Sequence, residues 1–212
     1  MRRTRPATSR ALLGLTLSAV LLLGGCASVY LVDNQVQSFP GWTQGSATAV
    51  PVAPQTFRFE RLPSQREASA TASQDMLEEL ARASLARAGW NLAEAGATAP
   101  WTVQVAAGTL KLPRAPWDDP WDGFGTGIGI FGGRGTWGTS VFMRMDIPYY
   151  ERQVSLVVRN ARTGQVVYET RARHDGRWTS SPELWGAMID AALRDFPNPP
   201  QGPRQVNVEV PR

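Results

Sequence analysis

Cys26, the only thiol among 212 residues, offers the most readily identified chemistry in this sequence. Four arginines lie between positions 2 and 10, and residues 11–23 carry no charge. A basic lead, a short apolar core and small residues are typical of a secretory signal peptide. Thirteen helical residues reach only about 20 Å, against a hydrocarbon core of about 30 Å. The pattern therefore predicts an export signal that ends at Cys26 and does not predict a membrane span.

The segment that ends at this thiol is Leu23-Gly24-Gly25-Cys26, and it resembles the lipobox of bacterial lipoproteins. The resemblance implies that residues 1–25 are removed and that lipid is attached to Cys26 and to the new N-terminus. We expect this covalent lipid as the membrane anchor and no other cofactor. By analogy with lipoprotein sorting, residues 27 and 28 lack the aspartate that retains lipoproteins in the inner membrane. We therefore expect a periplasm-facing, outer-membrane lipoprotein; the alternative is a secreted protein with one leftover cysteine.

The distribution of charge argues against nucleic-acid binding. The chain has 22 Lys and Arg residues and 18 Asp and Glu residues, but four arginines and no acids precede Cys26. From Cys26 onward the chain therefore carries 18 bases and 18 acids. Binding to a polyanion depends on clustered, uncompensated basic residues. We expect no nucleic acid as a partner.

The candidate catalytic groups are few. His174 is the only histidine, and Asp175 and a glycine follow it. Catalysis by such a histidine also needs a nucleophile and an orienting acid, and the sequence contains no Gly-x-Ser-x-Gly motif. We interpret His174 as a turn residue that caps its own backbone. A pair of carboxylates for glycoside hydrolysis is a further possibility, since Glu183 and Asp190 lie seven residues apart on one predicted helix. Glu183 is better explained as an acid in the first turn of that helix.

Metal and phosphate sites are weakly indicated. The aspartates at 118, 119 and 122 suggest Ca²⁺ binding, but the alternating pattern of a calcium loop is absent, and a solvated acidic turn is favoured. Residues 127–132 match G-x-G-x-x-G, yet further glycines occur where the dinucleotide motif requires a helix. We predict neither a metal nor a nucleotide.

The segment around residues 113–140 is the candidate contact surface. Glycine alternates with mainly apolar residues over 123–130, which in an extended chain places the glycines on one face. Such a face can bind a protein partner or the membrane interface; the alternative is a loop whose aromatic side chains fold back on the sheet. The candidate contact residues are Trp117, Trp121, Phe124, Ile128, Ile130, Phe131 and Trp137.

The surrounding elements predict an α+β domain. Apolar spacing predicts a helix over 73–88 with Gly89 at its C-terminal cap, and another from an N-cap at Ser181 to Phe196. Glu78 and Arg82 are spaced for an ion pair. Alternation predicts strands over 29–32, 56–60, 101–105, 141–147 and 206–210, and a hairpin over 154–172. We expect an antiparallel sheet with both helices packed on one face, as a two-layer sandwich.

The domain boundaries follow from composition. Residues 1–25 are the predicted signal peptide, and 26–54 the lipidated N-terminus and tether, rich in Gly, Pro, Ser and Thr toward its end. Residues 55–212 form the predicted periplasmic domain, which includes the Gly- and Trp-rich loop 113–140.

Several of these segments resemble one family. They are Thr56-Phe57-Arg58-Phe59, Leu85-Ala86-Arg87-Ala88-Gly89-Trp90, Trp101-Thr102-Val103-Gln104-Val105, the hairpin 154–168, and Leu193-Arg194-Asp195-Phe196-Pro197. With them, the chain resembles a family of Gram-negative lipoproteins known as domain of unknown function 4136 (DUF4136) over residues 57–197. The resemblance implies an envelope location and this fold, and it brings no catalytic residues.

Together these observations predict a non-catalytic outer-membrane lipoprotein. It would act as a periplasmic binding or envelope-assembly accessory, attached to the membrane through lipid and in contact with an envelope protein. The alternatives are an envelope hydrolase that acts on cell-wall material and a carrier with a small-ligand pocket between helices and sheet.

Overall fold

A computed structural model describes residues 29–43, 49–112, 115–117, 127–133, 136–142, 148–177 and 180–211. The predicted signal peptide and Cys26 lie outside these residues. Leu31–Val210 forms one compact unit, and a second unit contains Met1–Tyr30 and Pro211–Arg212. In the described part of the chain, no helix is long and apolar enough to cross a membrane.

The compact unit contains strands and two α-helices. The strands are β1 (Val29–Pro40), β2 (Gln55–Phe59), β3 (Trp90–Leu92), β4 (Trp101–Leu112), β5 (Gly127–Gly133), β6 (Thr136–Phe142), β7 (Tyr149–Asn160), β8 (Val166–Gly176) and β9 (Arg204–Pro211). The helices are α1 (Ala68–Arg87) and α2 (Pro182–Ala192), with 3₁₀ turns at Gly41–Thr43 and Pro63–Arg66. Seven strands form one sheet in the order β3-β2-β4-β7-β8-β1-β9, and β5 pairs with β6 in a separate ribbon.

The fold is α+β, as predicted, but the sheet is mixed and not purely antiparallel. β2 runs parallel to both β3 and β4, whereas β4, β7, β8 and β1 form antiparallel pairs. The cause is α1, which connects β2 to β3. A strand that returns to its neighbour through a helix arrives parallel to it. The strand-helix-strand order is visible in the sequence pattern. The prediction of an antiparallel sheet was wrong because this order makes the two strands parallel.

Two strands are longer than their alternation suggested. β1 continues to Pro40 and pairs with β8 from Gln35 onward. Residues 33–40 therefore belong to the sheet, although the sequence predicts a strand only over 29–32 and places 26–54 in the tether. β4 continues to Leu112 and pairs with β7 along its whole length. The side chains of β4 are buried alternately as far as Val105 and mostly exposed beyond it. The last residue pairs of the β4–β7 ladder therefore extend past the packed core.

The first helix begins at Ala68, five residues before the predicted start, and ends as expected before Gly89. This glycine has φ +78, and a Cβ atom built on it would lie 2.7 Å from the Cβ of Ala53. Both the left-handed backbone and the close approach require glycine. The predicted Glu78–Arg82 pair does not form, because Arg61 donates to Glu78 at 2.6 Å and Arg82 pairs with Glu79.

Aromatic side chains fill much of the core. The Phe196 ring lies 5.0 Å from that of Trp90, 4.9 Å from Tyr168 and 6.1 Å from Trp42. Trp101 in turn lies 5.7 Å from Trp90. These contacts join the start of β4, the segment after β1 and the residues that follow α2. The sequence placed Phe196 inside the helix, but α2 ends at Ala192 and turns bring the ring into the core.

The second helix starts at the predicted N-cap, where the Ser181 hydroxyl accepts a hydrogen bond from the Leu184 N–H at 3.3 Å. We expect Ser181→Ala to lower the free energy of unfolding by about 1 kcal/mol, because a helix N–H loses its acceptor. Urea unfolding followed by far-UV circular dichroism measures the change. Ser73→Ala, at an exposed position inside α1, is the control. Equal stabilities of the two variants would contradict the capping role.

Candidate functional site

One end of the large sheet brings several of the candidate residues together. β1 begins at this end, β8 finishes there, and Tyr150 at the start of β7 pairs with Gly176. Leu112 pairs with Tyr149, so the chain between them leaves the sheet and returns to it at the same end. The strands of the sheet thereby place a histidine, several carboxylates and the root of the Gly- and Trp-rich segment next to one another.

His174 occupies this end on the core face of the sheet. It lies within β8 and is only 3% exposed, so its predicted place in a turn is wrong. Its Nδ1 is 2.8 Å from the Asp33 carbonyl oxygen and 3.2 Å from the Asp33 carboxylate. Because both neighbours are acceptors, we assign the proton to Nδ1. The ring bridges β8 and β1, and it does not cap its own backbone.

Arg152 pairs with His174 across β7 and β8 and is buried as well. Its Nε donates to the Ser180 hydroxyl at 2.9 Å, just before α2, and its guanidinium lies 5.2 Å from the centre of the Tyr150 ring. A buried guanidinium needs its donors satisfied to offset desolvation. Arg152 thus connects the start of β7 to the start of α2.

Asp175, the other half of the His-Asp sequence, points to the opposite, open face. Its carboxylate accepts a short hydrogen bond from the Tyr149 hydroxyl. The Trp117 ring stands edge-on against Tyr149, with centroids 5.0 Å apart, and remains 67% exposed. Adjacent residues in a strand face opposite sides of the sheet. His174 and Asp175 are therefore neighbours in sequence that serve separate contacts.

The Tyr149–Asp175 contact has a titration signature. Burial first, and then the hydrogen bond to Asp175, raise the pKa of the Tyr149 phenol above its ordinary value. We expect Asp175→Asn to lower this pKa without restoring the ordinary value, since burial persists. Native-state stability should fall as the pH rises above about 10, where the unfolded tyrosine ionises. The total fall should be smaller in the variant, because its folded-state pKa is lower.

Tyrosine-labelled NMR titration measures the pKa, and alkaline urea unfolding measures the stability. Glu151→Gln is the matched control, because Glu151 pairs with Asp175 across the sheet but is not among the groups that raise the pKa of Tyr149. An unchanged Tyr149 pKa in Asp175→Asn would contradict the assigned cause.

An open groove of about 460 Å³ lies beside this end of the sheet. Residues 106–110 of β4 form one side, and residues 151–153 and Ser155 of β7 form the other. Small side chains at Ala106, Gly108 and Ser155 leave the space open. Leu110 is 57% exposed at its margin.

The carboxylates considered for glycoside hydrolysis have structural contacts. Asp190 accepts hydrogen bonds from Ser84 and Arg87, and so joins α2 to α1. Glu183 lies in the first turn of α2, as predicted, where its own backbone N–H and the Ser181 hydroxyl lower its pKa. A general acid needs a raised pKa, so Glu183 has the opposite tendency.

The predicted contact residues divide into three groups. Trp117 is exposed against Tyr149. Ile128, Ile130 and Phe131 lie on β5 and Trp137 on β6, in a ribbon that replaces the predicted loop. The register pairs Gly132 with Trp137, so Trp137 shares a ribbon face with positions 128 and 130, and Phe131 has the other face. Trp121, Phe124 and the aspartates at 118, 119 and 122 lie outside the described residues.

Residues 127–132 belong to a strand of this ribbon and not to a strand-helix turn, so they lack the context of a dinucleotide motif. No group of three His, Cys, Asp or Glu side chains suited to a metal ion occurs in the described part. Sequence reasoning missed Tyr149, Leu31 and Leu110 as members of this end of the sheet. The only signal available was continued alternation in β1 and β4.

Comparison with known proteins gives a family and a fold. Residues 46–198 match the family described as Domain of unknown function (DUF4136), and no curated protein matches the chain. A PDZ domain protein from Parabacteroides distasonis ATCC 8503 is similar in structure, with a TM-score of 0.52 and 11% identity over 93% of this chain and 42% of that one. The chain thus spans about two-fifths of that protein's length, and this likeness shows the fold alone.

The PelC dodecamer structure from Paraburkholderia phytofirmans has a TM-score of 0.40 and 14% identity over 76% of this chain and 94% of the PelC chain. A likeness of that degree supports no argument about this protein. The family match covers well over half of the sequence and agrees with the residues that carried the resemblance. The chain belongs to the DUF4136 family.

Proposed function

We propose that this protein is a lipid-anchored, non-catalytic accessory of the cell envelope, which faces the periplasm from the outer membrane and contacts an envelope protein through its β5–β6 ribbon. The anchor is lipid on Cys26, since a basic lead, an apolar core and a lipobox-like segment precede that residue. More than one acyl chain is needed for stable anchoring, and acylation of both the thiol and the N-terminus would meet that need.

The observation that carries the contact proposal is the separate ribbon. Residues 113–148 are inserted between the paired residues Leu112 and Tyr149, and they include β5 and β6, which form a two-stranded sheet that is not part of the seven-stranded one. Positions 128, 130 and 137 share one face of this ribbon. An insertion of this length in a compact domain is usually functional.

The contacts of the candidate catalytic groups support a non-catalytic role. His174 is buried and held by Asp33, and Asp190 is paired with Arg87. Each of these groups links two elements of the fold. We also infer that α1 and α2 cover the same face of the sheet, because they contact each other while α1 contacts β4 and α2 contacts β7 and β8.

Photo-crosslinking in intact cells tests the proposal. A crosslinking amino acid at position 130 or 137 should capture one discrete protein, and the same group at Leu92, exposed on the edge strand β3, should not. A second variant replaces residues 113–148 with Asn-Gly, a two-residue turn suited to the pair that flanks it. In this variant, a crosslinking amino acid on the remaining β4–β7 ladder should not capture the protein. The contact role would be refuted if it did, or if neither ribbon position gave a protein adduct in the parent.

The groove on β4 and β7 favours a second candidate, a carrier of a small ligand. Its volume of about 460 Å³ falls within the range of small-molecule sites. Native mass spectrometry of the protein purified from its own envelope would show a bound ligand as added mass. Gly108→Leu would fill the groove and should remove that mass, whereas an unmodified mass would exclude the carrier.

A further inference from the structure

Within the compact unit Leu31–Val210, three exposed apolar side chains lie at the end of the sheet where β1 begins. Leu31 is 51% exposed, Leu110 is 57% exposed and Trp117 is 67% exposed. We call these three residues the apolar rim. Scattered apolar side chains are ordinary on a protein surface, so the rim is informative only if its members are related in space.

The strand register shows that relation. Leu110 pairs with Glu151, and Glu151 pairs with Asp175, which places these residues on the open face. Gln35 pairs with Arg173 on the same face, and Leu31 lies two alternations before Gln35. Antiparallel pairing of β1 with β8 puts the start of β1 beside the end of β8. Leu31 and Leu110 therefore share a face and an end of the sheet.

Trp117 joins the same surface through Tyr149. The two rings meet edge-on. Tyr149 lies two residues before Glu151 in β7, so both side chains are on the open face. Leu31 and Leu110 lie on the outer two of four adjacent strands, β1, β8, β7 and β4. The three gaps between these strands, at about 4.8 Å each, separate the two residues by about 14 Å across the sheet. The rim is thus one surface about the width of a few lipid headgroups.

The length of chain before the rim limits its distance from the proposed anchor. Leu31 is only five positions after Cys26, and five extended residues span at most about 17 Å. The headgroup layer takes up roughly 5–8 Å of that distance. Acyl chains on Cys26 would therefore keep Leu31 within about 12 Å of the membrane surface, whatever path residues 26–31 follow.

We propose that the apolar rim of Leu31, Leu110 and Trp117 lies in the membrane interface, with the lipid surface as its partner. This inference rests on the proposed lipid anchor at Cys26. A tryptophan ring is suited to this layer, because it combines apolar area with an N–H group that stays hydrated. The rim orients the domain, so that the β1-start end of the sheet faces the bilayer.

The charges around the rim predict how it selects lipids. Asp33, Glu151 and Asp175 are carboxylates on the open face, and Lys111 and Arg177 are bases at the same end of the sheet. Among the described residues at this end, three acids against two bases give no net attraction to anionic headgroups. The rim should therefore insert equally into neutral vesicles and into vesicles with added anionic lipid.

Single-cysteine labelling of the mature, acylated protein tests the orientation. An environment-sensitive fluorophore is attached at Leu31→Cys, Leu110→Cys or Trp117→Cys, in vesicles of phosphatidylcholine with or without phosphatidylglycerol. The matched controls are Phe39→Cys on β1 and Val166→Cys on β8, two exposed apolar positions at the other end of these strands. Acylation of Cys26 leaves no second thiol to react.

We expect a blue shift and loss of iodide quenching at the three rim positions, no such change at Phe39 or Val166, and no dependence on phosphatidylglycerol. If iodide quenches the rim labels as much as the controls, the inference is wrong. The rim would then be a surface for a protein partner. Mass spectrometry of the N-terminal peptide separates the two proposals. An unmodified Cys26 refutes the anchor itself, whereas an acylated Cys26 with a water-exposed rim refutes only the orientation.

Discussion

Replacing Trp90 with alanine is expected to lower the free energy of unfolding by about 3–5 kcal/mol. Trp90 is 1% exposed and lies against both Phe196 and Trp101. The substitution would remove apolar contacts of the indole and leave a cavity that β3, a strand of three residues, can scarcely close. Urea unfolding followed by circular dichroism measures the loss.

The chain contains a matched control for this experiment. Trp117→Ala removes the same side chain from an exposed position, and the expected loss is about 1 kcal/mol, from one edge-on ring contact. Trp90→Phe should recover part of the lost stability because the ring contact with Phe196 is kept. Equal effects of Trp90→Ala and Trp117→Ala would contradict the placement of Trp90 in the core.

Replacing Cys26 with alanine is expected to move the protein from the membrane fraction to the soluble fraction. Each buried methylene contributes about 0.8 kcal/mol to anchoring, and a single acyl chain gives only marginal binding. Loss of every chain should therefore reduce partitioning by many orders of magnitude. The apolar rim, with three side chains, cannot replace that contribution. Cell fractionation with immunoblotting measures the distribution.

The control for this variant is Ser28→Ala, which leaves the thiol in place. It should fractionate with the parent protein. If Cys26→Ala also remains with the membrane after a high-salt wash, the lipid anchor is not what retains the protein. Retention of a variant that also lacks residues 113–148 would then point to the sheet surface itself.

Local signals in the sequence predicted the helices and the main hairpin well. Ser181 caps α2 and Gly89 ends α1 because hydrogen bonding and backbone conformation at those positions depend on the residue itself. The hairpin of β7 and β8 turns over residues 160–164, where Gly164 has φ +72. Each of these features is decided within a few residues, so a single sequence contains the necessary information.

Features decided by distant contacts were not predicted. β3 has three residues, too few to show alternation, and it is identified only by its pairing with β2. His174 seemed to occupy a turn because glycine follows Asp175, but pairing with β7 and contact with Asp33 keep it in a buried strand. Arg82 pairs with Glu79 because Arg61, outside the helix, takes Glu78.

The candidate site was predicted in part. Aromatic and glycine composition singled out the segment that contains Trp117 and positions 128–137, and these positions lie on the inserted segment. The composition gave no indication that Leu31 and Leu110 belong to the same surface. That relation arises from the register of four strands, β1, β8, β7 and β4, and no single stretch of sequence encodes it.

The internal position of β1 in the sheet has a consequence for how the protein folds. β1 lies between β8 and β9, and its Gln37 contacts Arg171, which is 134 positions later in the chain. β1 is the first described strand along the chain, so both of its edges stay open until β8 and β9 are available to pair with it. Such non-local pairing slows folding and exposes edges that can aggregate. A chain that ends before residue 166 would lack both β8 and β9, the two strands that flank β1.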